Sequence, residues 1–256
     1  MEAGPGLRLL LAPQALMGGM AQQLEPGWLT ASELARTAAM RQPGRHHEFV
    51  ACRYALRHLL ALVYGHASST WRLDAPEGKP PRLNAAVHGA VLAANTYLSL
   101  SHSASLLACA ASHQPVGVDV EVVDARAGKR DVLALAGLAC TDEEMRQLSA
   151  MATGAQQRLL FLQWWTLKES YFKCMETGVD FSRIRRMECR LANAVPGSGQ
   201  RLARAQSWVG STPAGEDVVL SVCTLGDALP AAQIQNCAEI AWRQETEWTL
   251  VELPSP

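Results

Sequence analysis

The chain has 256 residues, 48% of them hydrophobic, with 24 acidic and 23 basic side chains and a formal net charge of −1. It is long enough for one large or two moderate globular domains, and the charge balance argues against general nucleic-acid or membrane-surface binding, which needs cations gathered on one face. The seven cysteines, Cys52, Cys109, Cys140, Cys174, Cys189, Cys223 and Cys237, contain no CxxC or CxxH pair. Neither a zinc site nor a disulfide framework is expected, and a reducing, cytosolic compartment is.

In residues 1–23, Glu2, a lone Arg8 and Pro13 interrupt what would otherwise resemble a secretory signal, so an opening strand and turn is expected. No segment reaches the ~18 uninterrupted apolar residues of a membrane span. LTASELARTAAM predicts a helix capped by Thr30 or Ser32, and after the loop RQPGRHH a second helix, EFVACRYALRHLLALVYG, is ended by Gly65. Phe49, Arg53, Leu56 and Leu60 share one stripe of it, which places a cation on an apolar face. APEGKPPR is turn chemistry, and TYLSLSHSASLLACAAS predicts two short strands around Ser101, His102 and Ser103. QPVGVDVEVV alternates as a further strand. Residues 127–160 are expected to be helical with a break near Gly154, and TDEEMRQL carries the Thr-x-x-Glu capping signature. RMECRL, DVVLSVCTL and EWTLVEL predict strands near the end. Helices interleaved with sheet predict the α+β class. Laying Phe49 on Phe161 matches the two long helices loosely, with Arg57 meeting Glu169, a hint of two related halves.

FLQWWTLKESYFK, residues 161–173, reads as a mostly buried helix. Leu160, Trp164, Leu167 and Tyr171 fall on one line and Phe161, Trp165 and Phe172 on its neighbour, while Glu169 and Lys173 share the polar arc. Lys168 falls on the apolar side, where an ammonium must snorkel, pair or meet an anion. In GVDVE, Asp119 and Glu121 stand at i and i+2 of a strand, so both carboxylates leave one face about 6–7 Å apart. Such a pair invites a hard cation such as Mg2+, although a solvated strand face has the same pattern. Glu169 is a third oxygen ligand or a base for a hydroxyl nucleophile; its plain alternative is an i to i+4 pair with Lys173 worth ~0.3–0.5 kcal/mol. His102 is a structural histidine or a phosphate donor. Lys79 sits in a turn stiffened by Pro80.

GVDVE followed by WTLKESYFK resembles the Sfp-type 4′-phosphopantetheinyl transferases, whose hallmarks are G-[IV]-D-x-E and W-x-x-K-E-[SA]-x-x-K. LTASELAR, FVACRYALRHLL, GKP and SLSHS are similar to further family segments in the same order, from about residue 29 to 190. The resemblance implies two similar α+β subdomains, 1–115 and 116–256, related by a pseudo-twofold, with coenzyme A in the cleft between them. By position it implies Mg2+ on Asp119, Glu121 and Glu169, with phosphate on Lys173, Ser101 and His102. Arg36, Arg53 and the Gly78-Lys79-Pro80 loop would face the nucleotide part. The implied reaction moves the 4′-phosphopantetheine arm of coenzyme A to a serine of an apo acyl or peptidyl carrier protein and releases 3′,5′-ADP, with Glu169 as base and Lys173 and His102 beside it. A monomer is implied. Leu98 and Ser99 replace the usual Phe and Asn, and Cys52 a frequent Gly; the first pair is expected to loosen the strand that presents His102. Arg183, Arg185, Arg186 and Arg190 in SRIRRMECR offer a basic patch for the carrier, or an ordinary exposed strand edge.

Two other classes fit less well. A module that binds coenzyme A or a carrier without chemistry has no use for the set Asp119, Glu121, Glu169 and Lys173. A hydrolase would need Ser101 and His102 to cooperate from opposite faces of one strand, and no G-x-S-x-G elbow is present.

Overall fold

A computed structural model describes residues 6–76, 78–123, 132–194 and 198–254. In chain order these form β1 (Arg8–Pro13), α1 (Gln14–Gln22), α2 (Ala31–Ala38), α3 (Pro43–Tyr64), β2 (Leu73–Asp74), β3 (Arg82–Leu83), α4 (Ala85–His88), α5 (Ala90–Ala94), β4 (Tyr97–Ser103) and β5 (Leu106–Ser112). There follow β6 (Val116–Val122), α6 (Val132–Ala136), α7 (Asp142–Ser149), α8 (Gly154–Cys174), α9 (Phe181–Ile184), β7 (Met187–Leu191), β8 (Gln200–Ser211), β9 (Asp217–Thr224), β10 (Gln233–Asn236) and β11 (Ala241–Glu252). The architecture is mixed helix and sheet, as the interleaved patterns predict. No helix among the described residues is long and apolar enough to cross a membrane.

The chain divides into two units. The first is Met1–Val116 with Pro230–Ala238, and the second Gly117–Leu229 with Glu239–Pro256. In the first, one sheet runs in the order β10-β1-β5-β4, with β10 parallel to β1 and the other pairs antiparallel. Leu10, Met17, Leu56, Leu60, Leu107 and Cys109 gather in its core. The second has a sheet of order β6-β9-β8-β11-β7, and Trp164, Leu167 and Tyr171 of α8 meet Ala203, Ala205, Cys223 and Leu250 of its strands. Among the named strands, β1-β5-β4 and β6-β9-β8 follow one plan: the opening strand pairs with the second strand of a later hairpin.

The long helices are held by the same device in each unit. Thr30 caps α2 in a reciprocal box with Glu33, and Thr141 caps α7 in a box with Glu144. Each box glutamate also takes a buried cation from the long helix that comes next. Arg57 Nη2 lies 2.5 Å from Glu33 Oε2, with both side chains fully buried. Lys168 Nζ lies 2.6 Å from Glu144 Oε2 and donates to the Ala139 carbonyl at 2.8 Å. Arg57 likewise donates to the Trp28 carbonyl at 3.3 Å. Such pairs are tolerated in an apolar interior only because their remaining donors and acceptors are satisfied. Glu144 takes a further bond from the Cys189 amide at 2.9 Å. This settles the place of Lys168: of the three outcomes open to it, the ammonium pairs.

The equivalences fall at one spacing. Residues 28, 30, 33 and 57 correspond to 139, 141, 144 and 168, and α3 and α8 begin at Pro43 and Gly154, each 111 positions apart. The alignment of Phe49 on Phe161 is therefore one residue out of step; apolar positions on two amphipathic helices accept neighbouring registers, and the ion pairs do not.

Four local expectations are corrected. The turn after β1 is a helix, α1, in which Gly18 lies beside Ala51 of α3. RQPGRHH is largely the first turn of α3, with Pro43 at its start where a missing N–H costs nothing. The β4–β5 turn lies at Ala104 and Ser105, leaving Ser101, His102 and Ser103 within β4, and Ala104 takes φ 50°. The helical stretch over 127–160 breaks just before Gly154, which opens α8, as expected, but it breaks a second time between α6 and α7; residues 127–131 lie outside the described residues.

Candidate active site

β6 lies directly on α8, and one residue makes that possible. A Cβ at Gly117 would fall 1.8 Å from the Ser170 carbonyl oxygen and 2.5 Å from the Cys174 amide nitrogen. Only a residue without a side chain lets this backbone touch the helix. The consequence is that Asp119 and Glu121, two and four residues along β6, face the arc of α8 that carries Glu169 and Lys173. The spacing of GVDVE shows the carboxylates; it does not show why the motif opens with glycine.

The four charged groups act on one another. Lys173 Nζ is 2.6 Å from Asp119 Oδ1, so the lysine is tied across to the strand rather than along its helix to Glu169. Asp119 is buried; Glu121, Glu169 and Lys173 are half-buried. Burial pushes the Glu169 carboxyl above the ordinary glutamate value, Asp119 and Glu121 push the same way, and Lys173 opposes them. A carboxyl whose charged form is disfavoured by burial and by two like charges would gain from a nearby cation. The donors are hard oxygens suited to a small dication, which keeps few carboxylates and completes its shell with substrate oxygens and water. As the side chains stand, no group of three or more His, Cys, Asp or Glu residues among the described residues is gathered closely enough to hold a metal ion.

The remaining site candidates lie in the first unit. Ser101 is buried and His102 exposed, as alternation on β4 requires, and His102 Nε2 stands 3.3 Å from Glu48 Oε1. Leu98 and Ser99 are buried in the same strand with its ladder to β5 unbroken, Leu98 opposite Ala111 and Ser99 opposite Ala110. Arg36 and Arg53 both lie over the Phe49 ring, at 5.5 and 4.6 Å from its centroid. Burial pulls the Arg53 guanidinium down to about 10, Glu33 opposes this, and Arg36 and Arg57 add to the lowering. Its Nε and Nη1 are buried with no hydrogen-bond acceptor among the described residues, and Nε stands 3.9 Å from Glu33 Oε1. Gly78 takes φ +64°, and Lys79 is exposed beside it, its amide donating to the Pro76 carbonyl at 3.3 Å. Cys52 is a buried core thiol pushed up to about 12, chiefly by burial.

The basic patch expected of SRIRRMECR is largely spent internally. Arg183 and Arg186 share Glu252 at 2.9 and 3.3 Å, Arg183 also donates to Tyr171 Oη at 2.9 Å, and Arg190 pairs with Glu188 at 2.5 Å. Strand β11 returns alongside β7 and brings Glu252 opposite Met187, a pairing invisible to local charge counting.

Residues 115–223, which contain β6 and α8 with all four charged residues, match the family described as the 4′-phosphopantetheinyl transferase superfamily. A protein of Synechocystis sp. that bears the provisional name 4′-phosphopantetheinyl transferase is 26% identical over 176 residues, covering 67% of this chain and 68% of its own. Both similarities support phosphopantetheine transfer in general, and the family match falls on the part of the chain where the charged groups converge.

Proposed function

We propose that this protein is a Mg2+-dependent 4′-phosphopantetheinyl transferase of the Sfp type, which primes an apo acyl or peptidyl carrier protein from coenzyme A. The observation that carries this reading is the meeting of Asp119, Glu121, Glu169 and Lys173 across the β6–α8 contact. The repeated capping box and buried cation support the further reading of two similar halves related by a pseudo-twofold.

In this reading the carrier serine attacks the β-phosphorus of the pyrophosphate. A new serine O–P bond forms, the bond from that phosphorus to the bridging oxygen breaks, and the electron pair leaves with 3′,5′-ADP. Glu169 accepts the serine proton, directly or through water. Lys173 faces a phosphate. Asp119, Glu121 and Glu169 would hold Mg2+, which neutralises pyrophosphate oxygens as charge shifts to the leaving group. Ser101 and His102 contribute phosphate contacts, while Arg36, Arg53 and Gly78-Lys79-Pro80 take the nucleotide part. A cytosolic monomer is the simplest setting.

The test is the intact mass of a panel of apo carrier proteins incubated with the protein, coenzyme A and Mg2+. A gain of ~340 Da that EDTA and Glu169→Gln both abolish supports the proposal. Coenzyme A binding without any mass gain would replace it with a non-catalytic binding module.

A further inference from the structure

Under the proposed transferase reading, on which the present inference rests, Asp119 serves the metal and Lys173 a phosphate. In the structure the two serve each other. Lys173 Nζ sits 2.6 Å from Asp119 Oδ1, with the lysine side chain 29% exposed and the aspartate 5%. Glu169 feels Asp119, Lys173 and Glu121 together, so one ammonium stands among three carboxylates. That is the place and the sign of charge a dication would take. A metal and an ammonium on one carboxylate repel each other even when they take different oxygens, so a metal that engages Asp119 weakens its hold on the lysine.

We infer that Lys173 is a stand-in cation: it neutralises Asp119 until a metal ion arrives, and is then handed over to the phosphate of coenzyme A. The two partners differ in their freedom to make this exchange. Asp119 is buried on a strand that Gly117 presses against the Ser170 carbonyl. Lys173 ends a flexible four-carbon stem in the last turn of α8 and can swing. Metal alone is repelled by an ammonium that has no phosphate to move to, and coenzyme A alone must draw the ammonium off Asp119 with no cation to take its place. Bound together, each supplies what the other displaces. Metal and coenzyme A therefore bind with positive coupling, equal in both directions.

The experiment titrates the full chain with Mn2+, reading free Mn2+ by electron paramagnetic resonance, with and without coenzyme A and after subtraction of Mn2+ held by coenzyme A itself. Coenzyme A is expected to tighten Mn2+ binding to the wild type by about fivefold or more, within the ordinary range of coupling between sites. Lys173→Met is expected to bind Mn2+ alone more tightly than the wild type by a similar factor, with little further gain from coenzyme A. Lys173→Arg, which keeps the charge, should stay near the wild type. The hand-over is overturned if wild type binds both ligands independently, if Lys173→Met gains nothing, or if Lys173→Arg gains as much. Should the wild type bind neither Mn2+ nor coenzyme A, the transferase reading itself falls, and the hand-over with it.

Discussion

In the first unit, Glu33 closes the cap of α2 and takes Arg57 from α3; in the second, Glu144 closes the cap of α7 and takes Lys168 from α8, with acid and cation 24 positions apart in both. The supporting parts are alike, and the working surfaces are not. Where α8 presents Glu169 and Lys173, the same spacing of 111 places His58 and Leu62 on α3. Where β6 presents Asp119 and Glu121, β1 reads RLLLAP and buries Leu9, Leu10 and Leu11. The difference separates two demands on one scaffold. Holding a long helix in place needs a buried, fully satisfied ion pair, whereas polyanion chemistry needs charges left partly unsatisfied at an accessible edge.

The largest expected effect falls on that edge. Glu169→Gln should lower transfer by ~10²–10⁴-fold, as loss of a general base does. His58→Gln, its counterpart in α3, should leave transfer near the wild-type rate; equal losses would break the comparison. Because burial, Asp119 and Glu121 raise the Glu169 pKa, its charge weakens the fold as pH rises through the ordinary carboxylate range. The melting temperature of Glu169→Gln at neutral pH should therefore equal or exceed that of the wild type.

Next come the buried pairs. Arg57→Met and Lys168→Met each strand a buried glutamate and should cost ~3–5 kcal/mol in urea unfolding, with Glu144→Gln restoring part of the loss in the Lys168→Met background. Burial lowers the Lys168 ammonium and Glu144 more than offsets it, so the net pKa is raised. Its contribution is complete below the ordinary lysine value and is lost as pH climbs through the raised one, so unfolding should steepen only in strong alkali. Gly117→Ala should cost ~1–3 kcal/mol by overpacking against Ser170. It should also depress transfer more than a core variant of equal stability loss, because it separates β6 from α8. Smallest, Thr30→Ala and Thr141→Ala should each cost ~1 kcal/mol. Similar values would confirm matched caps.

How much the sequence discloses depends on the range of each interaction. The box at Thr141–Glu144, the stop at Gly65 and the alternation of GVDVE are written within four or five residues and form as read, and of the two caps open to α2 the structure uses Thr30, in a box with Glu33. α1 is hidden because Pro13, Gly18 and Gly19 look like a turn, while the packing of Gly18 on Ala51 depends on a segment some thirty residues away. The partner of Lys168 lies at Glu144 and that of Lys173 at Asp119, both beyond helical spacing. Parallel β10 joins its sheet from more than two hundred residues after β1. Two Thr-x-x-Glu boxes, each trailed at equal distance by a cation in an apolar helix, are nevertheless present in the sequence, and that signal gives the register that Phe49 and Phe161 do not.

The central claim is that the charges on β6 and α8 carry a transfer to a carrier serine. Its most direct test counts 3′,5′-ADP released against carrier serines modified, in the presence of Mg2+. The account predicts one nucleotide per modified serine and none with a carrier whose serine is changed to alanine. Nucleotide release that continues with the alanine carrier would mean that water is the acceptor, and would contradict it.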